Sequence, residues 1–218
     1  MLASKWMSTK VISIDEDESL SEAINTLKRN KIRRLPVLKG KKLVGMVSDR
    51  DLKEASPSKA TSLDIWELHY LMSKIKVKDV MTKNPITVFP DTTIEKCAMF
   101  MHDNKIGGLP VINTDGKIVG IITESDVFEA LINITGVRIP SYRISLVIPD
   151  SPGSIKEVCD HMRMQEFKCI SILTTHQGVK NGNRELIIRF NVDDKGLKEI
   201  LTSLKKNYHD VEFLSEKE

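Results

Sequence analysis

Two short motifs pair a hydroxyl with a carboxylate three residues later. They are Ser48-x-x-Asp51 and Thr123-x-x-Asp126, and each follows an apolar run, LVGMV or IVGII. A carboxylate only accepts hydrogen bonds, so it suits the two neighbouring hydroxyl donors of a sugar. A hydroxyl at the start of a helix lies among unpaired backbone N–H groups, which attract phosphate. The same spacing is also a plain helix-capping pattern, and both roles can hold together.

The two motifs belong to a longer internal repeat. Met7-Ser8-Thr9 recurs as Met81-Thr82-Lys83, and Leu35-Pro36-Val37 recurs as Leu109-Pro110-Val111, both at an offset of 74 residues. Each copy is expected to form a strand, a helix, a hairpin and a second helix. Neither copy has enough apolar surface for a stable core, so we expect the two to pack sheet against sheet.

Local signals place the elements of each copy. Capping patterns predict helix starts at Ser19-x-x-Glu22 and Thr92-x-x-Glu95, one place out of register with each other. Hairpin turns are expected around Gly40 and Gly116. A Ser- and Pro-rich linker is expected at residues 55–60. A helix should follow it, with one apolar face: Ile65, Leu68, Met72, Ile75.

A different pattern follows Gly136. Residues 142–148 alternate as a strand, and Asp150-Ser151-Pro152-Gly153 leads into a helix. Two further strands, a helix and a closing strand complete the order βαββαβ, which is the ferredoxin-like arrangement. The chain is therefore expected to be an α+β protein with a third, distinct unit.

Composition excludes several classes of protein. The net charge of +3 is small and dispersed, and aromatic residues make up only 5%, which disfavours nucleic-acid binding. No apolar run is long enough to span a membrane, and the first ten residues lack the apolar core of a signal peptide. The three cysteines are widely spaced, which indicates neither a disulfide framework nor a zinc site. We expect a cytoplasmic protein without a bound metal or cofactor.

The paired blocks resemble the cystathionine β-synthase (CBS) repeat, and the tandem pair resembles a Bateman module. The tail resembles an ACT domain, whose signature of a strand, Asp-x-Pro-Gly and a helix is matched at Asp150–Gly153. The three units together are similar to the AcuB-like group of acetoin-utilisation proteins. The expected boundaries are residues 1–76 for the first CBS repeat with its linker helix, 77–136 for the second repeat and 140–216 for the ACT-like domain.

The resemblance implies that adenine nucleotides bind in clefts between the repeats. Asp51 and Asp126 would accept hydrogen bonds from ribose hydroxyls, and Ser48 and Thr123 would contact phosphate or ribose. The backbone around two further residues would line the adenine pockets: Ile12, Ile86. The ACT resemblance makes the Asp-Ser-Pro-Gly turn a candidate ligand loop, with a plain strand-to-helix turn as the alternative: Asp150, Ser151, Pro152, Gly153.

The two copies differ in charge. The first has Arg33, Arg34 and Arg50, and arginine forks suit phosphate oxygens. The second copy has uncharged residues at the equivalent positions: Gly107, Gly108, Ser125. It also has Glu124, which could repel a polyphosphate. These features predict that the first site prefers ligands with more phosphates, unless the arginines are only solvated surface charges.

The resulting hypothesis is a regulatory protein that senses AMP, ADP or ATP through its CBS pair. The ACT-like domain would bind a small metabolite or an amino acid, or would join two chains into a homodimer. The sequence lacks the features that would indicate an enzyme: a nucleophile beside a base, a cluster of metal ligands, and a Gly-Lys-Ser/Thr loop. The alternatives are an enzyme of nucleotide or acetoin metabolism and a purely structural dimerisation module.

Overall fold

The computed structural model of the protein describes residues 1–56, 70, 72–163 and 166–216. The chain divides into two compact units, Met1–Phe128 and Glu129–Glu218. The strands are β1 Ile14–Asp15, β2 Arg34–Lys39, β3 Lys42–Ser48, β4 Thr82–Lys83, β5 Gly108–Ile112, β6 Ile118–Thr123, β7 Ser141–Pro149, β8 Lys168–Thr175, β9 Asn183–Asn191 and β10 Glu212–Glu216. The helices are α1 Leu20–Asn30, α2 Asp49–Glu54, α3 Val77–Val80, α4 Ile94–Asn104, α5 Glu124–Thr135, α6 Ser154–Arg163 and α7 Asp194–Asn207, after a 3-10 helix at Ala3–Lys5.

Part of the predicted connection between the two copies lies outside the described residues. This applies to most of the linker predicted at 55–60 and to the apolar positions Ile65 and Leu68 of the helix predicted after it. Within the described part of the chain, no helix is long and apolar enough to cross a membrane.

The sheet of the first copy has the strand order β1-β2-β3-β4. Strand β1 runs parallel to β2, and β2 and β3 form the predicted antiparallel hairpin, with Gly40 at a φ of 62° in its turn. The fourth strand comes from the opening of the second copy, because Thr82 pairs with Met46 of β3. The first copy is thus completed by residues of the second.

The second copy is completed in the same way by the first. Strands β5 and β6 form the hairpin, and Val88 pairs in parallel with Val111 of β5. Ser8, from the opening of the first copy, pairs antiparallel with Ile121 of β6. This reciprocal exchange of opening segments joins the two copies through backbone hydrogen bonds.

Both copies have a glycine in the second strand of the hairpin, Gly45 in β3 and Gly120 in β6, where the exchanged segment passes close to the backbone. A β-carbon on Gly45 would come within 2.3 Å of the Met81 sulfur, and one on Gly120 within 2.4 Å of the Met7 sulfur. Each methionine belongs to the opening segment that crosses from the other copy. Glycine therefore leaves the room that the exchanged segment needs.

The helix starts of the two copies are in register, which corrects one prediction. Ser19 caps α1 as expected, by accepting a hydrogen bond from the Glu22 N–H at 3.2 Å. The cap of α4 is Thr93, which accepts from the Lys96 N–H at 3.3 Å, and it is not the predicted Thr92. The Thr92 hydroxyl instead accepts from the Phe89 N–H, because it closes the turn before the helix.

Each copy buries an apolar face of its helix against its strands. The first core contains Ile14, Leu20, Ala23, Leu27, Leu35, Val37, Val47, Leu52 and Val77. Buried apolar residues of the second copy include Val88, Ile94, Cys97, Met101, Leu109, Val111 and Ile122. The buried residues of α1 and α4 recur at helical spacing, as the one-sided burial of an amphipathic helix requires.

The C-terminal unit has the predicted order of strands and helices. Its sheet is antiparallel throughout, with the strand order β10-β7-β9-β8. Alternate residues of β7 and β9 pack against both helices in one core: Tyr142, Ile144, Leu146, Ile148, Val158, Met162, Leu186, Ile188, Phe190, Ile200, Leu204. The chain is therefore an α+β protein whose paired repeats precede an antiparallel-sheet domain.

Candidate functional site

The two hydroxyl–carboxylate motifs form helix caps. The backbone N–H and the hydroxyl of Ser48 both donate to Oδ2 of Asp51, at 2.7 and 2.8 Å. The corresponding groups of Thr123 both donate to Oδ2 of Asp126 at 2.7 Å. Both copies therefore share the carboxylate half of a capping box, and the first copy forms the complete box, in which the Asp51 N–H also donates to the Ser48 hydroxyl at 3.3 Å.

This geometry defines what each motif offers to a ligand. The hydroxyls of Ser48 and Thr123 each have one proton, which is directed to a carboxylate. The cap bonds use Oδ2 of Asp51 and Asp126 and leave Oδ1 outside them. Each motif thus presents acceptor oxygens, which suits the hydroxyl donors of a ribose better than it suits a phosphate.

The first cavity has a volume of about 520 Å³ and contains the motif of the first copy. Ser48, Arg50 and Asp51 line one side of it. The other side consists of second-copy residues, and the lining includes Thr82, Asn84, Pro85, Ile86, Asn104, Lys105, Ile106, Gly107, Gly108 and Glu124. Arg34, Met46, Val47 and Asp49 complete it.

The second cavity has a volume of about 420 Å³ and contains the motif of the second copy. Thr123, Ser125 and Asp126 line one side. The lining also includes first-copy residues that lie 74 positions before those of the first cavity, namely Ser8, Lys10, Ile12, Lys31, Ile32, Arg33 and Arg34. Gly107, Ile121 and Glu124 complete it.

Each cavity therefore combines the motif of one copy with the opening segment of the other. Ile86 lies with Asp51, and Ile12 lies with Asp126. The sequence predicted that three arginines belong to one site, and the structure separates them. Arg50 lines the first cavity, Arg33 lines the second, and Arg34 lines both. The exchange of opening segments is the cause, because it brings residues of opposite copies together.

Arg34 lies where the two copies meet. A β-carbon on Gly108 would come within 2.7 Å of its Nη1, so the glycines of the second copy leave space for this side chain. Burial lowers the pKa of the Arg34 guanidinium, and the carboxylates of Glu124 and Asp49 partly offset that effect. An arginine remains charged even so, and Arg34 is therefore a partly buried cation at both cavities.

Three lysines that were not predicted from the sequence also line the cavities. Lys31 and Lys105 occupy equivalent positions at the ends of α1 and α4, both with left-handed backbone, at φ values of 54° and 56°. They line the second and the first cavity respectively, and Lys10 also lines the second. The repeat offset was the available signal, because it relates Lys31 to Lys105.

The Asp-Ser-Pro-Gly turn connects β7 to α6 in the C-terminal unit. The Asp150 carboxylate is 2.9 Å from His176 Nε2 and 3.5 Å from Arg184 Nε. Ser154 donates its hydroxyl to the Ser151 carbonyl at 3.0 Å, and Gly153 has a φ of 91°, which glycine readily adopts. These contacts give the turn a structural role.

The described residues contain no group of three His, Cys, Asp or Glu side chains that could hold a metal ion. The two cavities instead offer carboxylates, hydroxyls and cations on a partly apolar surface. That combination suits a nucleoside with an anionic substituent.

Two solved structures resemble the CBS pair of this chain. The CBSX2 protein of Arabidopsis thaliana in complex with AMP is 33% identical, with a TM-score of 0.51, over 62% of this chain and 98% of that one. The CBS domain pair of protein MJ0100, in complex with 5′-methylthioadenosine and S-adenosyl-L-methionine, is 26% identical. Its TM-score is 0.50, over 60% of this chain and 99% of that chain.

Sequence comparison identifies the same region. A CBS domain-containing protein of Dictyostelium discoideum is 32% identical over 141 residues, which are 62% of this chain and 93% of that protein. The CBS domain model matches residues 3–58 and 77–133, together just over half of the chain. The chain therefore belongs to the CBS domain family and contains a pair of CBS domains.

Proposed function

We propose that this protein is a regulatory sensor that binds adenosine-derived ligands such as AMP, ADP or ATP, one in each cavity of its CBS pair. The observation that carries the proposal is the duplicated cap, in which Asp51 and Asp126 each keep Oδ1 outside the cap bonds beside an open cavity. Ribose would donate its hydroxyls to these oxygens. Adenine would lie against the segments at Ile12 and Ile86, and phosphate near the arginines.

The named ligands of two relatives support this assignment. The similar CBSX2 structure contains AMP, and the similar MJ0100 structure contains two adenosine compounds. The Dictyostelium relative is matched over 93% of its length, so a CBS pair makes up nearly all of that protein. A binding module is therefore favoured over an enzyme and over a purely structural dimerisation module.

A thermal-shift and calorimetry experiment tests the proposal. Adenosine, AMP, ATP and S-adenosylmethionine should raise the melting temperature, whereas guanosine, which differs only in its base, should raise it less. Asp51→Ala and Asp126→Ala should each weaken adenosine binding at one cavity by about tenfold to a hundredfold, because a charged acceptor is lost. Asp115→Ala, an exposed carboxylate in the β5–β6 turn, is the matched control.

The outcome separates the alternatives. If a double variant of Asp51 and Asp126 binds adenosine as tightly as the wild type, the two carboxylates only cap their helices and do not bind the ligand. Turnover of bound nucleotide would favour an enzyme. The absence of any ligand-dependent shift would favour the structural module.

We propose further that the C-terminal domain is an ACT domain that binds a small metabolite or an amino acid at Asp150–Gly153, or pairs two chains. Support comes from the βαββαβ order and the Asp-x-Pro-Gly signature. A link to acetoin metabolism is also proposed, because the order of the three units is similar to that of the AcuB-like group. Amino acids included in the thermal-shift panel test the ligand, with Asp150→Ala as the loop variant.

A homodimer is part of the same proposal. Apolar side chains are exposed on α5, with Leu131 at 53% and Ile134 at 45%, and twofold pairing is the commonest way to cover such surface. Sedimentation that detects only a species of 24.6 kDa at micromolar concentration would contradict it. A cytoplasmic location also remains a prediction from the sequence.

A further inference from the structure

We infer that the two cavities differ in the charge of the ligand they select. The second cavity takes an adenosine ligand with several phosphates, and the first prefers an adenosine ligand with little net negative charge. This inference rests on the proposed function, because it assigns ligand classes to the cavities described above. It also reverses the preference expected from the sequence, where the arginines were assigned to the site of their own copy.

The second cavity has an excess of cations. Its lining contains four cationic side chains and two carboxylates, Glu124 and Asp126. The cationic residues are Lys10, Lys31, Arg33 and Arg34. A polyphosphate would compensate this excess.

The cations of the second cavity are also free to bind a ligand. Lys10, Lys31 and Arg33 are exposed, and none forms an ion pair with another described residue. Arg33 and Arg34 are adjacent in sequence and act as like charges on each other. A phosphate bound near both would relieve this repulsion, and the guanidinium fork is well suited to its oxygens.

The first cavity is balanced in charge. Three cations, Arg34, Arg50 and Lys105, face three carboxylates, Asp49, Asp51 and Glu124. Where the second cavity has Lys10 and Arg33, the repeat places Asn84 and Gly107 in the first. The Asp49 carboxylate is paired with Lys53 at 3.1 Å, so a triphosphate there would chiefly meet the Glu124 carboxylate, with fewer lining cations to offset its repulsion.

Calorimetry on variants with one cavity disabled tests the inference. Asp51→Ala leaves the second cavity, and Asp126→Ala leaves the first. Adenosine, AMP, ADP and ATP are titrated in magnesium-free buffer. From adenosine to ATP, the affinity should rise about tenfold or more in Asp51→Ala and by less than about threefold in Asp126→Ala. If loss of the cap unfolds either alanine variant, Asp51→Asn and Asp126→Asn are used instead, because asparagine keeps an oxygen that can accept the cap bonds.

Charge variants identify the residues responsible. In the Asp51→Ala background, Arg33→Gln should lower the affinity for ATP about fivefold, because the exposed ion pair between Arg33 and the phosphates is lost. The affinity for adenosine, which has no phosphate, should not change. Arg50→Gln is the matched control at the first cavity, and in the same background it should change neither affinity. The gain from phosphate at the second cavity should also diminish with added salt.

The contradicting outcomes are distinct. Equal phosphate dependence in both single-cavity variants overturns the inference, and so does an equal loss of adenosine and ATP in Arg33→Gln. If wild-type protein binds adenosine at both cavities, the proposed function survives that result. If it binds none of the four compounds, the proposed function fails together with the inference.

Discussion

The Arg34 guanidinium occupies the space that a β-carbon on Gly107 would need. That carbon would lie 2.4 Å from Arg34 Nη2 and 2.7 Å from Glu124 Oε2. The repeat offset relates the Arg33-Arg34 pair of one copy to the Gly107-Gly108 pair of the other. A large cationic side chain from one copy therefore packs over small residues of the other, and no second arginine pair opposes it with like charge.

Gly107→Ala should displace the Arg34 side chain while leaving the fold stable. The clash involves the end of a flexible side chain, so we expect a change of less than about 1 kcal/mol in the free energy of unfolding. Affinity for ATP should fall, because the guanidinium leaves its place between the cavities. Adenosine, which has no phosphate, should bind as before. Urea denaturation and calorimetry measure the two effects.

A double-mutant cycle shows whether Arg34 is responsible. In an Arg34→Ala background, Gly107→Ala should cause little further loss of ATP affinity, because the side chain that it displaces is absent. Additive losses in the two variants would mean that Gly107 acts on the ligand directly.

Anionic ligands in the two cavities should compete for Arg34. This residue lines both cavities, and its one guanidinium cannot serve two phosphate groups equally. The wild-type isotherm for ATP should therefore show a second binding step about threefold to tenfold weaker than the single-cavity variants predict, a coupling energy of ordinary size.

Adenosine provides the uncharged control for this coupling. The wild-type isotherm for adenosine should be described by the two affinities measured in the single-cavity variants. Arg34→Gln should make the ATP isotherm follow the same independent-site description. An ATP isotherm that is already additive in the wild type would show that Arg34 does not couple the cavities.

Local patterns in the sequence predicted local structure well. Ser48-x-x-Asp51 and Thr123-x-x-Asp126 fixed two helix starts, because a cap depends on residues three positions apart. The hairpin turns at Gly40 and Gly116 were predicted for the same reason. The error at Thr92 was one residue, since two adjacent threonines offer the same hydroxyl and only the turn before the helix distinguishes them.

The composition of each cavity could not be predicted from local patterns. Arg33 and Arg50 are close in sequence, yet they line different cavities. Their separation depends on the pairing of Ser8 with Ile121 and of Thr82 with Met46, which are contacts between distant segments. The repeat indicated which residues are equivalent but not which copy supplies each side of a cavity.

Gly136→Ala should destabilise the C-terminal unit more than Gly178→Ala. Both glycines have a left-handed backbone, with φ values of 66° and 83°, so alanine is strained at either position. A β-carbon on Gly136 would also come within 2.4 Å of Ile170 Cγ2, whereas nothing lies within 4 Å of one on Gly178. We expect about 1 kcal/mol from strain in Gly178→Ala and about 1–3 kcal/mol more in Gly136→Ala.

Thermal unfolding of the two variants measures this difference. Ile170→Ala in the Gly136→Ala background should recover part of the additional loss, since it removes the atom that clashes. Equal destabilisation by both glycine variants would mean that Ile170 moves away freely and that backbone strain alone decides the cost.

The Cys97 thiol should make stability depend on pH in the alkaline range. Cys97 is fully buried in α4, and burial raises its pKa, with a smaller contribution from the Glu95 carboxylate. The folded state therefore favours the neutral thiol. Its contribution to stability is complete below the pKa of the unfolded thiol and is lost as the pH rises toward the folded value.

Cys97→Ala isolates this effect from other groups that titrate at high pH. At pH 7 the variant should be less stable than the wild type by about 1 kcal/mol, because a buried side chain is shortened. Between pH 7 and pH 10 that difference should shrink, since only the wild type gains free energy on unfolding by ionising the thiol. Urea denaturation across this range measures it. Cys169→Ala is the comparison, because burial also raises the pKa of that thiol, but the residue is exposed and a smaller change is expected. A stability difference for Cys97→Ala that stays constant up to pH 10 would contradict the prediction.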